Sequence, residues 1–360
     1  MKLITTLLFT FLTISCSKDS EVENNTSEDF NTQAMIVDIT NQLILPKVNN
    51  FNSSCIELNN AVNNYIATPS EENIILMRIK WQETSSNYAQ VYAFNIGEAR
   101  NRFFHIKLYN WPTLSIAIEN FISDANEITA IYVSQLSSQA KTLSGIEYML
   151  FKSSAAEVHQ GFINSPKRLD YLKFITISQK NKAAELQSLW STDGENYANT
   201  FMNNTDSGLN APLNRLYNGI YNIISTAKIT KIGKTAGLEN SDNVNFDELQ
   251  ARYSGFSKEL IIKNLEISKE VFFNEQGLGL SENISAVTGD EVLNNILKTK
   301  FNTAINSLKN LNGSLAQAIT NSPDDVRIIH EQLQEIIVLL AIDVRSALSI
   351  IITSTDNDGD

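Results

Sequence analysis

Few side chains in this 360-residue chain have the chemistry of a working site. There are three histidines, His105, His159 and His330, and two cysteines, Cys16 and Cys55. No two histidines have the spacing of paired metal ligands, and no His-Glu-x-x-His occurs, so the common zinc-peptidase helix is missing. A phosphate-binding glycine loop, a dinucleotide fingerprint and a Gly-x-Ser-x-Gly elbow are absent too. Gly277-Leu278-Gly279 reads as a turn in a polar connector. His330 reads as an ordinary surface or core histidine of the last helix. His159, in Glu157-Val158-His159, is placed in a loop from which it could join a metal site. Cys55 reads as a small buried hydrophobe.

One carboxylate stands apart. From Ala140 to Phe151 the chain runs Ala-Lys-Thr-Leu-Ser-Gly-Ile-Glu-Tyr-Met-Leu-Phe, which puts Glu147 among apolar residues on a helix. A glutamate on a buried face needs a cation, a hydrogen-bonding network or a metal. An exposed or simply paired helix glutamate is the plainer alternative.

The elements that must hold such a residue are helical. With 14 glycines and 6 prolines in 360 residues, turn residues fall well below their usual share of about 12 %, too few for a sandwich or barrel. The clearest helix runs from Thr68 to about Phe94. Thr68-Pro69-Ser70-Glu71 looks like its capping box, and Ile74, Met77, Trp81, Tyr88 and Val91 fall on one face. Ser322-Pro323-Asp324-Asp325 opens a final helix with Ile328, Ile329, Leu333, Ile336, Ile337, Leu340 and Val344 on its apolar side. Further helices are expected over 31–47, 51–66, 113–137, 139–151, 166–190, 212–227, 246–274 and 290–320. The fold class is all-α, with two helical-bundle domains over 31–190 and 191–360. Their matching Thr-Pro and Ser-Pro helix starts hint at a duplication.

Met1-Lys2, an uncharged run from Leu3 to Ile14 and Ser15-Cys16 read as a signal peptide, too short to span a membrane. Cys16 after Leu12-Thr13-Ile14-Ser15 resembles a bacterial lipoprotein box, with Thr13 where leucine is usual. Acylation of Cys16 would anchor the protein to a membrane; ordinary secretory cleavage is the alternative. Residues 17–30 are polar and acidic and read as a flexible tether. The net charge of −12 argues against nucleic acid as a partner, because binding phosphates takes lysine and arginine.

Several blocks together resemble the imelysin family, bacterial envelope proteins first described as insulin-cleaving metallopeptidases. Its hallmark is Gly-x-His-x-x-Glu followed by an aromatic and two aliphatics. Ile146-Glu147-Tyr148-Met149-Leu150-Phe151 matches the second half, while Thr142 stands for the glycine and Ser144 for the histidine. Trp81 with Tyr92 and Phe94, Asn110-Trp111-Pro112, Lys231-Ile232-Gly233-Lys234 through Gly237, Tyr253-Ser254-Gly255 with Asn264 and Phe272, and the Asp356–Asp360 end are similar to other shared blocks.

The resemblance implies an all-helical protein with its motif near a cleft between two bundles. It also implies a setting in bacterial iron or haem acquisition. Ser144 supplies no imidazole, and a hydroxyl is a poor ligand for zinc or copper though tolerable for harder cations. The expected function is therefore a lipid-anchored, non-catalytic binding component of iron or haem uptake, with iron, another divalent cation or haem as ligand and an uptake receptor as partner. Glu147, His159, His105 and Tyr148 are the candidate ligands. A metallopeptidase, using Glu147 with His159 or the C-terminal aspartates, and a structural or adhesive surface lipoprotein are the alternatives. Outer-membrane placement, periplasmic or surface-exposed, is the expected location.

Overall fold

The computed structural model describes residues 30–353. The signal sequence, Cys16, the tether up to residue 29 and Asp356–Asp360 lie outside the described residues. Within them the chain is helical and forms no strand; Glu239 and Ser241 share a single isolated bridge.

The first helix, α1, joins Thr32–Ile39, a π turn Thr40–Ile44 and Leu45–Ala67. Two helices were expected here. The π turn lets the chain run on because its wider loop leaves out a backbone hydrogen bond beside Pro46, which has no N–H to give. Helix α2 is Glu71–Val91, and its N-cap is Ser70, whose hydroxyl accepts from Asn73 N–H at 3.3 Å. Thr68 does not cap α2, because it is the C-cap of α1, donating to Asn64 O at 2.9 Å. The expected face of α2 is buried throughout.

The span 113–137 is not one helix. It divides into α3, Ser115–Ser123, and a short turn of helix, Ala130–Gln135. Between them Asp124 accepts from the backbone and side chain of Asn126, a local turn that competes with helix. Helix α4, Leu143–Phe151, is cut off from Ser138–Lys141 by extended backbone at Thr142. Gly145 sits so close to Ala140 that a Cβ there would lie 1.7 Å from the Ala140 carbonyl oxygen. His159 lies on a helix, α5 (Ala155–Asn164), and not in a loop; the Ser154/Glu157 capping box that starts it is visible in the sequence. Helix α6, Pro166–Trp190, begins at Ser165-Pro166 as expected.

Helix α7, Pro212–Thr226, runs into a π segment, Ala227–Lys234. Helix α8, Ser257–Phe272, starts about ten residues later than expected, because 246–256 is a chain of turns with Ala251 and Gly255 at positive φ. Helices α9 (Leu280–Thr288) and α10 (Val292–Asn310) follow. Gly313, at φ 71°, separates α10 from Leu315–Asn321. Helix α11, Pro323–Leu339 with a π turn Leu340–Val344, closes the fold from Ser322-Pro323. Its Ile328 is 46 % exposed, contrary to the apolar face read from the sequence.

Helices α1, α2 and α6 pack along their lengths, with α4 and α5 closing against α2. Later in the chain α8, α10 and α11 pack together, and α7 contacts α8 and α11. Helix α8 also lies on α2, and α7 on the Tyr92–Phe94 turn, so one connected apolar cluster runs through both groups. No helix of the described residues is long and apolar enough to cross a membrane.

Candidate functional site

Every residue of α4 from Leu143 to Leu150 is buried. Glu147 therefore cannot reach water and takes its partners from the turn before α8. Its Oε1 accepts from Ser254 N–H at 2.8 Å and Ser254 Oγ–H at 2.9 Å. Its Oε2 is buried with no hydrogen-bond partner among the described residues. Burial pushes the Glu147 carboxyl up to about 7; the Ser254 bonds, Tyr253 backbone and Arg252 charge pull it only part of the way back.

The Tyr109 hydroxyl is likewise buried without a partner. Its pKa is pushed up by burial first and by the charge of Glu147 second. Aromatic rings wall it: Trp81, Tyr88 and Trp111 lie 6.4, 5.8 and 6.0 Å from the Tyr109 ring. Trp81 is fixed in turn by its indole N–H, which donates to Leu143 O at 2.8 Å.

Ser144 does not face Glu147's free oxygen. Its hydroxyl donates to Asn110 O at 2.6 Å, with Gln139 O at 3.1 Å, and sits 3.1 Å from Thr142 Oγ1. Thr142 Oγ1 accepts from Asn110 N–H at 3.2 Å. The two motif hydroxyls thus fasten the corner that leads into the cis Trp111–Pro112 bond.

A buried lysine borders the same aromatic wall. Lys231, in the π segment after α7, is 2 % exposed and donates to Asn264 Oδ1 at 2.6 Å. Its Nζ lies 5.4 Å from the Trp111 ring and 6.0 Å from that of Tyr92, and burial brings its pKa down to about 7. Asn264 is held by its own donation to Ala89 O at 2.6 Å. Residue typing did not single out Lys231; its place in the family-like Lys231-Ile232-Gly233-Lys234 block was the available signal.

The other candidates lie elsewhere. Tyr148 points to Glu119, donating at 2.6 Å, and its ring meets Tyr253 at 5.0 Å. Lys152 and Arg168 also donate to Glu119; burial works against its charge, but Arg168, Tyr148 and Lys152 bring its pKa down to about 2. His159 Nδ1 pairs with Tyr65 Oη at 2.9 Å. The His105 carbonyl accepts from Tyr88 at 3.3 Å, and its ring neighbours Phe103. His330 pairs with Glu239 at 2.9 Å beside Lys228. Cys55 is buried, which pushes its thiol pKa up. Among the described residues no three His, Cys, Asp or Glu side chains are grouped to hold a metal ion.

Ser254 bonds Glu147, Trp81 and Trp111 flank Tyr109, and Lys231 joins Trp111 to Asn264, a set of buried polar and aromatic contacts within an all-helical protein. The family model Imelysin matches residues 44–341. The chain belongs to the imelysin family. Its fold is similar to that of an imelysin-like protein from Psychrobacter arcticum 273-4, with a TM-score of 0.74 and 14 % identity over 89 % of this chain and 96 % of that one. It is also similar to a protein from Parabacteroides distasonis ATCC 8503, provisionally described as an iron-regulated protein A precursor. That match has a TM-score of 0.72 and 17 % identity over 88 % and 94 % of the two chains. No curated protein matches this chain.

A resident hydrolytic metal does not fit these side chains. Zinc-type sites take three nitrogen, sulfur or carboxylate donors, whereas the motif here offers one carboxylate and two hydroxyls bonded to the Asn110 corner.

Proposed function

We propose that this imelysin-family chain is a non-catalytic binding component of a bacterial envelope system for iron uptake, centred on Glu147. The observation that carries this reading is the pair of buried, unpartnered oxygens, Glu147 Oε2 and Tyr109 Oη. Oxygen donors of this kind suit hard cations such as ferric iron better than zinc or copper. The iron-regulated description of the Parabacteroides relative supports the same setting. Iron is here the cargo, and haem is the secondary candidate. Anchoring through an acyl group on Cys16, placement at the outer membrane and delivery to an uptake receptor complete the proposal. They rest on the Leu12–Cys16 pattern and the polar tether. The −12 charge favours capture of cations.

The test is calorimetric and spectroscopic titration of the protein with ferric iron, ferrous iron, zinc, copper and haem. Ferric iron is expected to bind at micromolar affinity or better, with a phenolate-to-metal absorption band lost in Tyr109→Phe. Glu147→Gln is expected to abolish the binding. Zinc binding tighter than ferric iron, or ferric binding unchanged in both variants, overturns the assignment.

A further inference from the structure

A sizeable groove lies away from Glu147. It encloses about 600 Å³ between α1, α8, α10 and the 273–276 turn, a volume typical of small-molecule sites. Its walls carry Lys47, Lys269, Lys298 and Lys309 beside Glu266, Glu270 and Glu275. Such a gathering of lysines is unexpected on a chain of net charge −12.

The ion pairs divide these charges into two groups. Glu270 is balanced by Lys47 at 2.9 Å, and Glu266 by Lys309 at 2.9 Å and Lys263 at 2.7 Å. These pairs tie α1 and α10 to α8 and set the groove's width. Lys269 donates to a neutral oxygen, Asn302 Oδ1, at 2.8 Å. Lys298 rests over the Phe273 ring at 5.4 Å. Neither has a carboxylate partner among the described residues, so two lysines from two helices line the groove without an ion pair. Asn306 supplies an amide on the same wall.

We propose that this groove binds a small organic polycarboxylate, its carboxylates seated on Lys269 and Lys298. Charge-assisted hydrogen bonds from two ammonium groups give a carboxylate more than either lysine gains from its present neutral partner. Glu275, on the turn at the groove's edge, has no ion pair among the described residues and opposes the bound charge. It limits affinity for the bound carboxylates. This site is separate from the Glu147 centre and stands or falls without it.

The experiment is calorimetric titration of the protein with citrate at physiological ionic strength, with sulfate at matched ionic strength as the comparison. Citrate is expected to bind at a single saturable site. The double variant Lys269→Ala/Lys298→Ala, its helicity checked by circular dichroism, is expected to bind at least about ten-fold more weakly. Glu275→Gln is expected to bind several-fold more tightly, an opposite response that general loss of structure would not produce. The proposal is overturned by the absence of saturable citrate binding, by equal affinity in the double variant, or by sulfate matching citrate.

Discussion

Replacing Glu147 by glutamine should stabilise the metal-free protein at alkaline pH, although Glu147 is fully buried and hydrogen-bonded. Its carboxyl is raised from 4.5 to about 7 by burial. At about 1.4 kcal/mol per pKa unit, the ionised form at pH 8 costs the fold about 3 kcal/mol. The sign follows from proton counting. Between the unfolded value and the folded one, the native state holds a proton that the unfolded chain has released, so stability falls as pH rises through this window. Below about pH 4.5 both states are protonated and the group has no further effect. Glutamine keeps an oxygen for Ser254 N–H and carries no charge. Urea unfolding followed by circular dichroism should give equal stability for the two proteins near pH 4.5. Near pH 8 the Glu147→Gln variant should lead by about 2–3 kcal/mol. A variant that is less stable at both pH values, or equal at pH 8, would refute the claim that desolvation dominates over the Ser254 hydrogen bonds. Stability conceded at a buried carboxylate is the pattern expected where a group is kept for binding.

Lys231 should behave in the opposite sense. Its pKa is lowered from 10.5 to about 7, so its contribution to stability rises with pH between those values. Lys231→Met is therefore expected to be more stable than the parent near pH 6, with the gap closing by about pH 10; denaturant midpoints across that range would check it. Ser144→Ala should cost about 1–3 kcal/mol, because it leaves the Asn110 carbonyl without its 2.6 Å donor. The loss should appear as a lower unfolding midpoint.

Much of the fold was legible in the sequence because helix signals are local. The Ser165-Pro166 and Ser322-Pro323 starts, the buried stripe of α2 and the scarcity of glycine each depend on residues within a few positions of one another. The misplacements also had local causes. Thr68 was already committed to ending α1, Asp124 bonds to Asn126 and breaks 113–137, and the 246–256 turns delay α8. The Ser154/Glu157 box that puts His159 on a helix was readable.

The candidate site divides along the same line. The sequence by itself determined that Glu147 would sit on an apolar helix and that Ser144 could not act as a histidine, since residue type and periodicity settle both. Only the tertiary structure decided which partners these residues took. It brought Ser254, 107 positions away, to one oxygen of Glu147, and it turned Tyr148 toward Glu119 and His159 toward Tyr65. It also buried Lys231 beside Trp111. Periodicity along one helix says which side chains face inward. What they meet there depends on which distant segments pack against that helix, and packing is a property of the whole chain.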